Sequence, residues 1–544
     1  MGAPVYNTDL NDITLSESTT GWSALGGGAS GLSLEPDFFI QGSNCIAKQI
    51  KAETKGHHFS NGATAQGADD HVYVWVYVST PGTTDLLTNG GLRVTIGTSG
   101  TARKEFYVAG KDTYFRGGWV CYPIRYSLTA DNAVGSAGAT PSFFGAVMQG
   151  LASVKSVNLG IDAIRYGSNV EVTDGVGSPA TFTALAQHAD NLTRSWGLIQ
   201  EIGGGVLVQG KVLVGTASSQ CEFSESNILV LFPDNNPAAV NQHTLAGHKE
   251  IIIDNASSAV TWEGITFLSL DTTDKGVITV NTSNSTGITG CVFQNIATTS
   301  LHSSVAVASS NWIGCDTVTA NQATFVGCDF NSTVGTSAVV TDDLADLDEC
   351  SFTGDNTSHA VELTSVPTDG ITMNWNCDAA SGYTAGATGS PITPTTNNDA
   401  HILITANTAN DLTINVATGA TIPSVKVDPA YTGNVEVVAG QVTFTVTVRD
   451  IDTAAAVEAA RVYITADAGG PLAQGTVIVD KLETNASGQV SDTRSYASDQ
   501  PFVGSVRRAT STKGDGTLYK SSNVTGTISS AADSGVTVSL IKDE

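Results

Sequence analysis

One short phrase recurs in the middle of this chain. "GCVFQN" begins at Gly290, "GCDFNS" at Gly327 and "ECSFTG" at Glu349, and "GITFLS" at Gly264 has the same shape without the cysteine. The phenylalanines stand at 267, 293, 330 and 352, at intervals of 26, 37 and 22 residues, and Cys315 in "NWIGCDTV" divides the long interval unevenly. Units of this length, each a few short strands punctuated by Gly, Asn and Asp, fit the coils of a parallel β-solenoid. The same interior position then recurs once per coil, so Cys and Phe are expected to form ladders down the inside. Polar runs such as "NSTVGTS" (331–337) make the turns. A single coil cannot bury its own apolar face, so several must stack.

The rest of the sequence agrees with an all-β chain. Only 14% of residues are charged, against about 25% in ordinary soluble proteins. The polarity comes instead from Ser, Thr, Asn and Gly, with 57 glycines and 3 methionines. A length of 544 residues allows three or four cores. The balance of 52 acidic against 25 basic residues, net −27, disfavours nucleic acid and anionic lipid as partners. No apolar run reaches the length of a membrane span, so no membrane insertion is expected. "MGAPVYNTDLNDITL" lacks the basic and apolar regions of a signal peptide, and Tyr6 stands where a myristoylation site wants Ser or Thr. The protein is therefore expected to stay in its compartment of synthesis until released. Eight cysteines without a CxxC pair read as small buried hydrophobes rather than disulfides or a zinc site. No metal or cofactor is expected.

Three regions follow. Residues 1–170 read as a β-sandwich, jelly-roll-like, with "HVYVWVYVS" (71–79) a strand buried on one face and "GLRVTIGTSGTARKEFYVAG" (91–110) a hairpin. Residues 171–432 read as a right-handed parallel β-helix. A short amphipathic helix, about 179–190, caps its open end, with Ser178 as N-cap and Pro179 in the first turn. "GYTAGATGSPITPTTNNDA" (382–400) is the clearest loop, and "HILITA" and "LTINVA" close the helix. Residues 433–544 read as an immunoglobulin-like or transthyretin-like sandwich.

Four groups of residues are candidates for chemistry. The run "TDDLADLDE" brings together Asp342, Asp343, Asp346, Asp348 and Glu349. Paired carboxylates on a solenoid face serve polysaccharide cleavage, and hard oxygen ligands suit calcium, but a solvated turn is the ordinary role of such a run. His57 and His58 are adjacent on a strand, so they face opposite ways and do not share one metal. His302 and His359 fall in turns of the solenoid. Tyr73, Trp75 and Tyr77 share one strand face, with Trp119 and Tyr122 on another strand. The first reading fills the core with them; the second stacks sugars on exposed rings, Trp75 and Trp119 being the candidates. Finally, Arg494, Arg507, Arg508, Lys513 and Lys520 form a basic cluster in an acidic chain, suited to acidic surface polysaccharide. No GxSxG, HExxH or phosphate loop occurs, and no enzyme activity is expected.

The order of parts resembles virion structural proteins of marine tailed bacteriophages. The residues that carry the likeness are "PVYNTDLNDITLSESTTGW", "GGLRV", "AGKDTY…GGW", "AIRYG", "GITFLSLDTTDKGVITV" and "NASGQVSDT…DQPFVGSVRR…LYKSSNVTGTI". The resemblance implies a protein made in the host cytoplasm and carried on the virion surface, as head decoration, head fibre, tail fibre or spike. It implies contacts with other virion proteins of capsid or tail, a homotrimer, and adhesion to host surface glycans. In this reading the N-terminal sandwich attaches to the particle and the C-terminal one faces outward. A polysaccharide-degrading tailspike and a bacterial surface adhesin are the alternatives.

Overall fold

The structure is a computed structural model. It describes residues 2–543 except 26–30, 51–53, 61–69, 79–86, 110–117, 128, 151–156, 189–195, 234–248, 273–274, 283–285, 332, 497–498, 509–516 and 531. The chain is all-β: among the described residues the helices are one short α-helix, Phe182–Ala186, and a 3-10 turn, Leu344–Asp346. No helix among them is long and apolar enough to cross a membrane. Two compact units result, Met1–Val339 and Val340–Glu544.

The first unit opens with two sheets that share one core. One sheet is ordered Gly118–Ile124, His71–Val78, Val157–Gly167, Cys45–Ile50, Ser33–Glu35; the other runs from Asn132–Val134 through Ala102–Ala109, Leu87–Ser99, Phe143–Gly150 and Thr54–Ser60 to Trp22–Leu25. Val72, Val74, Val76 and Val78 meet Leu92, Val94, Ile96, Phe106, Phe144 and Met148 between them. The hairpin expected over 91–110 is present, its strands closing at Ser99 opposite Ala102. The strand His71–Val78 departs from expectation, because it is buried on both faces. Its valines, not its aromatics, fill the sandwich core. Tyr73 and Trp75 point the other way and are covered there instead.

From Asn169 the pairing turns parallel. Asn169–Thr173, Lys211–Val214, Glu250–Ile253, Gly276–Val280, Ile296–Leu301 and Thr317–Thr319 pair one after the next. A second series runs Gly205–Val208, Leu229–Phe232, Thr266–Ser269, Val292–Gln294, Asn311–Ile313, Asp329–Asn331. A third runs Glu222–Ser226, Ala259–Glu263, Thr286–Thr289, Val305–Ala308, Thr324–Val326. Each circuit of the chain thus adds one strand to each series, as the repeated phrase requires.

Each position of the phrase has its own place in the circuit. Its first residue makes a left-handed corner: Asn227, Gly264, Gly290, Ser309 and Gly327 all have positive φ, and each of the first four donates its N–H to the rung that follows. Small or side-chain-bonding residues tolerate that backbone. The second residue is a buried seat occupied in turn by Ile265, Cys291, Ser310 and Cys328, so the cysteine column is interrupted rather than continuous. Cys291 and Cys328 each point a thiol at the carbonyl two residues back, as the Ser310 hydroxyl does. The fourth residue stacks. Phe267, Phe293, Trp312 and Phe330 are in register, with centroids 5.1, 4.7 and 4.9 Å apart and planes within 14° of parallel. Trp312 supplies the rung inside the 37-residue interval; Cys315, two residues past that strand, does not. All eight cysteines are buried and unpaired.

The open edge at the start of the stack is covered. Val5–Thr8 pairs antiparallel with Asn169–Thr173. Ala180 bridges to Phe223 through Ala180 N–H to Glu222 O (2.8 Å) and Ser224 N–H to Ala180 O (2.9 Å). That extended bridge moves the helix start from Ser178 to Thr181, whose hydroxyl accepts from Ala184 N–H at 2.8 Å. Phe182, Leu185 and Ala186 are buried, with the Phe182 ring edge-on to Phe223. The last part of the expected helix lies outside the described residues.

In the second unit, Ile371–Ser381, Leu412–Val416 and Val435–Val438 pair parallel, as do His359–Leu363, Ile402–Ile404 and Val425–Val427. The loop 382–400 has no strand but is not free: Gly389 and Val437 exchange two hydrogen bonds, and Ile392 N–H reaches Val435 O at 2.8 Å. It covers the outer edge of the last parallel strand, where unpaired backbone would invite other chains. The final sheets follow. Gln441–Asp450 lies between antiparallel Gln489–Ser495 and parallel Ser534–Leu540. Opposite stand Val477–Glu483, Arg461–Ala466, Gln500–Arg508 and Tyr519–Ile528. Strict alternation in "QVTFTVTVRD" puts Val442, Phe444, Val446 and Val448 into their common core.

Two stability measurements check the ladder. Phe330, 1% exposed, should cost about 3–5 kcal/mol on replacement by Ala through the cavity left. Cys291→Ser should change stability by no more than about one hydrogen bond, roughly 1 kcal/mol, because Ser310 already occupies the equivalent seat. A Phe330→Ala chain that melts like the unaltered protein contradicts this register.

Candidate functional site, an aromatic face on the N-terminal sandwich

The outer face of the first sheet carries a ring cluster. Trp119 lies directly across from Tyr77, and Tyr77 from Gly160. Gly160 leaves a seat that the Phe38 ring fills: a Cβ there would stand 3.1 Å from Phe38 Cε2 and 3.1 Å from Tyr77 Cβ. Phe38 stacks on Tyr77 with centroids 4.2 Å apart, and Trp119 is tilted against Tyr77 at 5.4 Å. Phe38, Tyr77 and Trp119 are each half-buried, and Phe39 beside them is 41% exposed.

A buried carboxylate pins the segment that brings Phe38 here. Asp162 accepts from Ile40 N–H (2.8 Å), Gln41 N–H (3.1 Å) and Ala163 N–H (2.7 Å). Burial pushes its carboxyl up to about 6, opposed by those three donors. Arg165 ties the same segment through Gln41 and is neutralised by Asp12 at 2.7 Å. Farther along this face, Tyr73 and Cys121 pack against the backbone of Gly197, so that end is closed. Trp75, at 8% exposure, belongs to the closed part and offers no ring to a ligand; Trp119 does. No periodicity marks the irregular segment of Phe38, and nothing local in the strand Val157–Gly167 shows that Asp162 will be buried. The adjacent aromatics of "EPDFFIQG", between Pro36 and Gly42, were the available signal.

The acidic run serves its own turn. Asp343 caps the 3-10 turn by accepting from Ala345 N–H at 3.0 Å, Asp346 accepts from the Thr341 hydroxyl at 2.8 Å, and Asp348 accepts from Asn376 at 2.6 Å. Glu349 is exposed in a left-handed corner. Burial, with Asp343 and Asp342 nearby, raises Asp346 to about 6. Among the described residues no three His, Cys, Asp or Glu side chains converge to hold a metal. His57 and His58 diverge as strand neighbours do. His57 is fully buried beside Ile46 O, and burial lowers it to about 3; His58 stacks on Phe143 at 3.9 Å. His302 accepts from Ser304 N–H in a turn, but His359 is buried on a strand against Ala400 O.

Among the described residues the basic cluster reduces to Arg507 and Lys520, exposed on one face of paired strands. Arg494 is held by Asp492 and by the carbonyls of Val477 and Ile478. Arg507 and Arg508 are strand neighbours, so Arg507 is exposed while Arg508 is buried at 3%. Lys513 lies outside the described residues, and Lys520 is exposed.

A second feature lies on the second unit. Gly370, Pro391, Asp411, Leu412, Thr413, Asn434 and Glu436 line a groove of about 280 Å³. Its carboxylates are tied to neighbouring segments: Asp411 accepts from Asn434 N–H at 2.7 Å, and Glu436 from the hydroxyl of Ser390 in the loop 382–400.

No protein-family model matches the chain, and no curated protein matches it. Among the solved structures that are weakly similar to it are two of known description. One, described as "CBM4 structure and function", is 19% identical over 28% of this chain and 99% of its own, with a TM-score of 0.18. The other, "Crystal structure of Agl-KA catalytic domain", is 12% identical over 80% of this chain and 98% of its own, with a TM-score of 0.19.

The acid-run geometry makes a pH prediction. A carboxyl whose folded value lies above its ordinary one of about 3.9 contributes most below that value and loses the contribution as pH rises through the folded one. Asp346→Asn should therefore melt progressively higher than the unaltered chain as pH rises through about 6, and level with it at about pH 4. A constant offset across that range counts against the assignment.

Proposed function

We propose that this chain is a non-catalytic structural protein of a tailed bacteriophage, carried on the particle exterior and adhering to glycans of the host surface. The observation that carries the adhesive part is the half-buried trio Phe38, Tyr77 and Trp119 on an outer sheet face. Ring faces and apolar sugar C–H faces bury area together while sugar hydroxyls stay hydrated. The particle assignment rests on the resemblance of the sequence to phage virion proteins. In this reading the parallel stack is a right-handed β-helix, the N-terminal sandwich is jelly-roll-like and the C-terminal one immunoglobulin-like or transthyretin-like. Capsid or tail proteins are its partners, and a homotrimer multiplies weak sugar contacts into avidity. Recognition is assigned to the N-terminal sandwich, since of the basic residues that favour the C-terminal one Arg508 is buried and Arg494 is engaged by Asp492 and two carbonyls.

Antibody raised to the chain should label intact particles, and the purified chain should bind host cells. Trp119→Ala should weaken that binding by about tenfold, an effect worth about 1.4 kcal/mol, while Arg507→Ala leaves it unchanged. Unlabelled particles remove the virion assignment; equal binding by Trp119→Ala removes the adhesive one.

The groove favours one second reading, polysaccharide cleavage, because Asp411 and Glu436 both line it. That reading requires release of reducing ends from host polysaccharide, abolished in Glu436→Gln. Equal release by that variant rejects it.

A further inference from the structure

Resting on the sugar-binding reading of the aromatic face, we infer that its ligand is a neutral polysaccharide, read by two side-chain amides, Gln49 and Asn158, beyond the rings.

Register fixes where these amides stand. Gly160, the seat of Phe38, pairs with Tyr77 on one side and Ala47 on the other, and Asn158 pairs with Gln49. Residues two apart on a strand share a face, so Asn158 and Gln49 lie on the ring face, about 7 Å along from Gly160 and Ala47. Both are exposed. From Trp119 across Tyr77 and Gly160 to Ala47 is three strand spacings, about 14 Å. A short oligosaccharide spans this, with rings under one end and amides, each both donor and acceptor, at the other.

Charge on the same face selects against acidic sugars. Arg165 is buried and engaged by Asp12 and Gln41, and Asp162 is buried beneath Ile40 and Gln41. Charges left near the rings among the described residues include Asp37 and Glu17, exposed, and Glu35, half-buried. A uronate or sulfate would meet these carboxylates, within a chain of net −27, with no exposed described cation on the face to receive it. Hydroxyls of a neutral sugar meet amides without that cost.

The full chain is tested by affinity electrophoresis through gels holding neutral polysaccharides (dextran, laminarin, galactomannan) or acidic ones (alginate, polygalacturonate), at low and high salt, alongside a printed array of neutral and acidic bacterial oligosaccharides. Retention on neutral sugars, unchanged by salt, is expected. It should fall about tenfold in Trp119→Ala and severalfold in Gln49→Ala/Asn158→Ala, whose exposed sites leave melting unchanged. Retention on acidic sugars alone, weakened by salt and lost in Trp119→Ala, overturns the neutral class while the sugar face stands. Neutral binding lost in Trp119→Ala but untouched by the amide pair overturns the role of Gln49 and Asn158. Absence of retention on every gel and array spot removes the sugar face itself, and this inference with it.

Discussion

In-register parallel pairing between successive circuits is the constraint on which the stack depends. Each rung takes backbone hydrogen bonds from the rungs on either side, so every strand is both template and guest. A one-residue slip would turn the interior side chains outward. The column Phe267, Phe293, Trp312, Phe330 locks that register, because rings 4.7–5.1 Å apart and nearly parallel fit only if each circuit closes at the same place. The corner residues with positive φ do the same for the backbone, bending it before each aromatic strand.

A structure built this way carries its weakness at its ends, where hydrogen-bonding groups have no next rung. In the first unit the chain's own beginning is used, as Val5–Thr8 pairs against the edge and Ala180 and the short helix follow. In the second, the segment 382–400 lies along Val435–Val438. A segment with no regular structure of its own thus does the work of a strand. Its hydrogen bonds, not its composition, show this.

The ring face on the N-terminal sandwich depends on a different balance. A buried carboxylate is costly, and Asp162 is tolerated because three backbone N–H groups point at it. Two of them belong to the segment that carries Phe38. The same interaction that satisfies a buried charge thereby places an aromatic ring on Gly160, two residues along the strand that carries the carboxylate. Binding chemistry on a loop is held in position by the rigid sheet beneath it.

The sequence alone determined the all-β class, the repeated circuit and the stacked aromatic position, because these follow from local period and residue type. The hairpin over 91–110 and the alternation in "QVTFTVTVRD" were legible for the same reason. Tertiary structure decided the rest. Trp312 joined the phenylalanine column, and Ile265 and Ser310 entered the cysteine column, since a seat is defined by volume and a hydrogen bond rather than by one residue type. Ser178 lost the cap to Thr181 because Ala180 was drawn into a bridge with Phe223, 43 residues away in the chain. The valines of "HVYVWVYVS" took the core while Tyr73 and Trp75 were covered from the other side; alternation tells which residues share a face, never which neighbour that face will meet. Arg507 and Arg508 parted, and Phe38 came to Tyr77, through contacts between segments remote in sequence. Period is written locally in the chain, whereas what lies opposite each face is settled only when distant segments pack.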